Sequence, residues 1–179
     1  MEKKLNYKIN LRKVKLFVFD VDGVLTNGEV LLDAAGEMTR NSHVRDSLAI
    51  RLALQAGLKV IIISAGSSQK VKERYEYLGV KHVFMKAFTK YPILESYLEK
   101  YNIDASEVLY MGDDMPDYEC LLNVGVATCP RDAYFEVREI CDYISTIDGG
   151  RGAVRDVVEQ TMRVQGLWPD LKKNPRIEL

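Results

Sequence analysis

The chain has 179 residues, 47% of them apolar, and a formal net charge of -1. That is enough apolar side chain for one well-filled core and too little chain for two, so one domain over residues 1–179 is expected. The balance of charge provides no broad basic field for nucleic acid, and no apolar run approaches the length of a membrane span.

The opening MEKKLNYKIN lacks the hydrophobic segment of a secretion signal, so a cytoplasmic protein is expected. The cysteines Cys120, Cys129 and Cys141 are odd in number and lack metal-type spacing. They read as small buried hydrophobes in a reducing compartment.

Strand and helix signals alternate along the chain. VKLFVFDV (14–21) is a β-branched and aromatic run, too apolar for a half-exposed strand and suited to the centre of a covered sheet. GEVLLDAAGEMTR (28–40) predicts a hairpin turning near residues 34–36. DSLAIRLALQAGL (46–58) predicts a helix with Asp46 as its capping acid and a stop at Gly57. A buried strand, LKVIIIS (58–64), leads to a helix over 67–79, a short strand HVF (82–84), and a helix over 91–102 with proline in its first turn. EVLYMGDD (107–114) repeats the opening pattern of apolar strand, glycine and acids. A short helix, the strand VGVATC, the helix DAYFEVREIC, the strand DYIST and a glycine loop with a last helix follow, before a polar tail over 167–179.

This alternation means right-handed βαβ units, hence an α/β fold: a Rossmann-like three-layer sandwich around a mostly parallel sheet. Ligands in such folds sit beyond the carboxyl ends of the strands. Four predicted strands deliver polar groups there: Asp20 and Asp22, Ser64, Lys90, then Asp113 and Asp114. A lone DxDG is explicable as turn chemistry, but a second acid cluster, GDDMPD, ends another central strand. Carboxylates crowded at one edge repel one another, and a hard dication such as Mg²⁺ removes that cost. A strand-end carboxylate can then attack phosphorus, the acid two residues on can shuttle the proton, and a serine and a lysine can hold the phosphoryl oxygens.

DVDGVLT, IIISAG, the lysine of FTKYP and GDDMPD, in that order, resemble the four motifs of the haloacid dehalogenase superfamily in its phosphatase branch. The resemblance implies Asp20 as nucleophile and Mg²⁺ ligand, Asp22 as general acid/base lending its carbonyl to the metal, and Asp113 as the third protein ligand. It also implies Ser64 and Lys90 as phosphate binders, with Asp114 and Asp117 acting through water or hydrogen bonds. A capping role for Asp117 on the short helix is an equal alternative. Neither point at which this superfamily inserts a cap domain has room for one, so a capless, open site is expected.

Capless members of this length are similar to 3-deoxy-D-manno-octulosonate 8-phosphate (KDO 8-phosphate) phosphatases, through HVRDSLAIR, KERYEYLG, GDDMPDYE, CPRDA and GGRGAVRDVVEQ. That family implies hydrolysis of the sugar acid phosphate to KDO and phosphate for lipopolysaccharide synthesis. It also implies a homotetramer whose hairpins form a small barrel, with a neighbouring subunit roofing each site. Its substrate-binding segment maps onto His43, Val44, Arg45, Asp46, Ser47 and Arg51, with Gly66 and Arg74 nearby. Where many members carry Gly-Arg after the motif-two hydroxyl residue, this chain has Ala65-Gly66, so a substrate-facing arginine is missing. The 2-keto-3-deoxy-nononate 9-phosphate phosphatases differ around this position and are the nearest alternative.

GGRG (149–152) lacks a Walker lysine and is expected as a mobile loop setting up the last helix. A receiver-type phospho-acceptor domain is the alternative of another class, but its phosphorylated aspartate lies mid-chain, where this chain has Ser64. Asp22 separates the chain from haloalkanoate dehalogenases, and the missing cap from mutases.

Overall fold

The computed structural model of the chain describes residues 7–32, 34 and 38–176. A short helix α1 (Tyr7–Leu11) precedes strand β1 (Leu16–Phe19), and a tight π-helical turn, Val21–Leu25, leads into a hairpin of β2 (Leu31–Leu32) and β3 (Met38–Thr39). Then come α2 (Val44–Gln55), β4 (Lys59–Ile63), α3 (Gln69–Tyr77), β5 (His82–Phe84), α4 (Tyr91–Tyr101) and β6 (Val108–Met111). The chain continues through α5 (Tyr118–Leu122), β7 (Val126–Cys129), α6 (Phe135–Ile140), β8 (Tyr143–Ile144) and α7 (Ala153–Val164). The expected hairpin is present, although most of its turn lies outside the described residues.

Among the described residues the main sheet has six strands in the order β5-β4-β1-β6-β7-β8, every pairing parallel. All four residues of β1 are buried because helices cover both faces, and alternate side chains divide between the layers. Phe17 and Phe19 pack with α2 and α7, whereas Leu16 and Val18 pack against α4, α5 and α6. Each such side chain contributes about 1.5–3 kcal/mol on burial, so Phe19→Ala would cost about 3–5 kcal/mol.

Between β1 and β6 the strand order reverses, and the crevice beyond their carboxyl ends is where such a fold opens a ligand site. After β1 the chain inserts only the hairpin, and between Ser64 and Lys90 only α3 and β5, so no cap domain lies over the crevice among the described residues. Two amides of the loop GGRG are engaged within the protein. Gly150 N donates to Val24 O at 2.9 Å and Gly149 N to Asp132 Oδ1 at 2.9 Å. A Cβ at residue 149 would collide with the Gly23 carbonyl, so the glycine serves close packing on the turn after β1.

Candidate active site

Asp20 leaves the end of β1, its N–H donating to Met111 O at 3.1 Å on the neighbouring strand. The turn that follows needs Gly23 twice: its φ is +88°, and a Cβ there would run into the Asp113 carboxylate. Asp20 and Asp113 are thus brought together by two central strands and one glycine. Lys90, at the start of α4, reaches into the same place with its side chain only 2% exposed. Its Nζ lies 2.9 Å from Asp20 Oδ1 and 2.7 Å from Asp117 Oδ1.

Asp117 is fully buried and every donor around it is used. It accepts from Lys90 Nζ, from the Tyr110 hydroxyl at 2.6 Å, and from Asp113 N at 3.2 Å. It therefore braces the cluster and makes no side-chain cap bond to α5. Asp114 is the acid that caps, accepting from Met115 N at 2.7 Å.

One ammonium cannot balance three carboxylates. Burial, then repulsion from Asp20 and Asp117, pushes the Asp113 carboxyl up to about 8. Burial and Asp117 also raise that of Asp20, against the pull of Lys90. One oxygen from each of Asp20, Asp113 and Asp117 falls within 4.8 Å of the others, and Asp113 Oδ1 is buried without a hydrogen-bond partner among the described residues. Both Asp117 oxygens already accept hydrogen bonds, so Asp20 and Asp113 are the carboxylates that fit a hard dication.

Ser64 ends β4, buried, its Oγ accepting from Gly66 N at 3.0 Å. A Cβ on Gly66 would stand 3.2 Å from Ser64 Oγ and 3.5 Å from Asp22 Oδ2, so a bare backbone separates the hydroxyl from the second acid. Asp22 forms an ion pair with Arg40, which the sequence did not single out: Arg40 Nε donates to Asp22 Oδ1 at 2.5 Å. Beside this pair opens a cavity of about 340 Å³ between the hairpin and α3, lined among others by Ser42, Ser68, Lys70 and Arg74.

A family model described as haloacid dehalogenase-like hydrolase matches residues 82–154. The 3-deoxy-D-manno-octulosonate 8-phosphate phosphatase KdsC of Escherichia coli K12 is 34% identical over 159 residues, which are 89% of this chain and 85% of that protein. The chain belongs to this phosphatase family. The phosphatase of the same name from Haemophilus influenzae is 31% identical, covering 87% of each chain. Among solved structures, the Moraxella catarrhalis phosphatase in complex with a magnesium ion, a phosphate ion and KDO superposes with a TM-score of 0.87 at 32% identity, over 89% of this chain and 92% of that one. The Yersinia pestis phosphatase gives 0.88 at 27% identity, over 90% and 88%.

Membership of the family does not send every expected substrate residue to the same place. Ser47 and Arg74 meet, Arg74 Nη2 donating to Ser47 Oγ at 3.0 Å, and Arg74 lines the cavity beside Asp22. Arg45 instead lines a separate cavity of about 510 Å³ with Arg151, Arg155 and Arg163 of the α7 side. Arg51 stacks over the Tyr77 ring, 5.3 Å from its centroid, and Val44 is exposed.

Asp46 requires a correction. It is buried inside the first turn of α2 and does not cap that helix, whose N-cap is His43. Its Oδ1 accepts from Arg155 N at 2.7 Å, capping α7 across the helix pair. Its Oδ2 faces His43 Nδ1 at 3.9 Å, and neither atom has a hydrogen-bond partner among the described residues.

Two contributors to the site went unread. Tyr110 looked like one more apolar strand residue, and Arg40 belonged to a hairpin of two-residue strands. A signal for Arg40 existed: a hairpin that leaves from DVDGVLT must return beside it.

Proposed function

We propose that the chain is a cytoplasmic, Mg²⁺-dependent phosphatase that hydrolyses KDO 8-phosphate to KDO and inorganic phosphate in lipopolysaccharide precursor synthesis. The observation that carries this is the Asp20 carboxylate, held by Lys90 at a sheet edge shared with Asp113, Asp22 and Ser64. The names of the relatives, and the solved one holding magnesium, phosphate and KDO, support the substrate and the ion.

Asp20 attacks phosphorus, the bond to the sugar oxygen breaks, and Asp22 protonates the departing alkoxide. Water then attacks the aspartyl phosphate, Asp22 takes its proton, and phosphate leaves with the Asp20 carboxylate restored. The Ser64 hydroxyl and the Lys90 ammonium donate to the phosphoryl oxygens, whose charge needs stabilising in both steps. Asp117 and Tyr110 fix the Lys90 ammonium in place. The Asp20 and Asp113 carboxylates and the Asp22 carbonyl would hold Mg²⁺, which when bound neutralises the charge where carboxylates and phosphate meet. Asp114 serves from the next position along.

The catalytic unit is the whole chain as one domain, assembled as a homotetramer. Supporting this, Leu31, Leu32 and Met38 of the hairpin are 62%, 70% and 55% exposed, an apolar surface that a neighbouring hairpin would cover. Buried cysteine thiols and the absence, among the described residues, of any helix long and apolar enough to cross a membrane accord with the cytoplasm.

Initial rates against a panel of sugar phosphates, with Mg²⁺ and after chelation, test the reading. KDO 8-phosphate should lead the nononate 9-phosphate, chelation should silence the enzyme, and Asp20→Asn should lower turnover by about 10⁴-fold or more. Near-normal turnover by Asp20→Asn, or a lead for the nononate, would overturn it. Sedimentation of the same preparation should give the mass of four chains.

A further inference from the structure

We propose that Arg40 is the specificity residue of this site: in the free protein it holds Asp22, and it exchanges that partner for a carboxylate of the bound substrate. An acidic substrate thereby frees its own general acid. The proposal rests on the phosphatase reading above and adds to it how the site tells a sugar acid phosphate from a neutral sugar phosphate.

Arg40 follows β3, in a hairpin whose strand residues are exposed, yet its own side chain is only 9% exposed. Its guanidinium points inward and Nε takes Asp22 Oδ1. A guanidinium carries five N–H donors. Among the described residues the other hydrogen bond of Arg40 is a marginal one, Nη1 to Met38 O at 3.5 Å. Most of the fork therefore has no partner among the described residues on the side where the 340 Å³ cavity opens.

That cavity is lined by Arg40, Lys70 and Arg74 and by the hydroxyls of Thr39, Ser42 and Ser68, with no carboxylate among the described residues of its wall. Three cations and several hydroxyls beside the acid/base suit a polyhydroxylated chain with an anionic end. The phosphate end belongs on the floor with Asp20, Ser64 and Lys90. The arrangement also bears on Ala65-Gly66: the cation lacking at residue 66 arrives from the hairpin instead.

The exchange has a clear energetic sign. Asp22 can donate to the leaving alkoxide only after its pairing with Arg40 is broken. A substrate carboxylate offers the guanidinium a bidentate partner in place of the single Nε contact to Asp22, so the exchange gains one charge-assisted contact. A neutral substrate offers no replacement and bears the whole loss. Selectivity thus comes from what the wrong substrate leaves unpaired.

The test compares wild type with Arg40→Ala, and with Arg40→Gln in case the smaller side chain disturbs the hairpin. Substrates are KDO 8-phosphate and 6-phosphogluconate, which carry carboxylates, against arabinose 5-phosphate and p-nitrophenyl phosphate, which do not. For the acids, kcat/KM should fall by about ten- to a hundred-fold, the loss of one charge-assisted contact. For the carboxylate-free substrates kcat should rise by about two-fold or more as Asp22 is released. Opposite signs for the two classes support the exchange. An equal fall for both classes, or no change in their ratio, overturns it while wild-type turnover of KDO 8-phosphate keeps the phosphatase reading intact. Wild-type turnover of arabinose 5-phosphate with none of either acid would remove both.

Discussion

Asp20, Lys90, Asp113 and Asp117 meet at the ends of strands buried on both faces, whereas Arg40, Ser47 and Arg74 are gathered by a two-residue strand and the turns of two helices. In the first group Lys90, Asp117 and Tyr110 satisfy one another, while the Asp113 carboxylate stays short of partners among the described residues. In the second the hydrogen bonds are few and the hairpin beside them is exposed. On the proposed function, the core would hold the machinery common to phosphoryl transfer, and the rim what distinguishes one substrate from another. Alterations to the floor should cost stability and rate together, and alterations to the rim should act on selectivity and leave the fold alone.

The largest expected effect is at the floor. Asp117→Ala strands the Tyr110 hydroxyl in the interior and leaves the Lys90 ammonium with Asp20 alone, and should destabilise the chain by about 3 kcal/mol. Denaturant unfolding gives the value, and a loss under about 1 kcal/mol would mean that water reaches the floor.

Asp46 lies between the two regions, and its effect is intermediate. Burial pushes its carboxyl up to about 6, against the hydrogen bonds from Arg155 and Gly152 and the nearby His43. In the unfolded chain it titrates near 3.8. Between those values the folded protein binds more protons than the unfolded one, so this contribution to stability falls as pH rises from about 4 to about 6. Asp46→Asn keeps the oxygen that caps α7 and should flatten that slope by on the order of 2 kcal/mol. Thermal melting across the window decides; an unchanged slope would place the carboxyl in contact with solvent.

Arg51→Ala should do least. It removes a stacking contact with Tyr77 and should cost under about 1 kcal/mol, with little change in KM. A large rise in KM would bring Arg51 into a substrate contact supplied by a neighbouring copy.

Legibility follows burial and length. The strands β1, β4 and β6 were plain in the sequence because a strand covered on both faces must be a continuous apolar run. α1 was not, since five residues carry no period. Tertiary contacts hold it: the Tyr7 ring stacks on Tyr143 with centroids 4.8 Å apart, and its hydroxyl donates to Gln160 at 2.9 Å. The start of α2 was misplaced by two residues because an acid in a first turn normally caps its own helix, and Asp46 caps another.

The run of motifs along the chain determined the fold class, the sheet edge that matters, and the acids, serine and lysine that end its strands. Hydrophobic period and residue spacing are properties of one dimension, so they could be read without coordinates. Which acid of GDDMPD turns inward, which helix Asp46 caps, and that Arg40 returns to Asp22 were decided by the tertiary structure alone. Each depends on the distance between segments far apart in sequence, and that distance is set by how the layers pack.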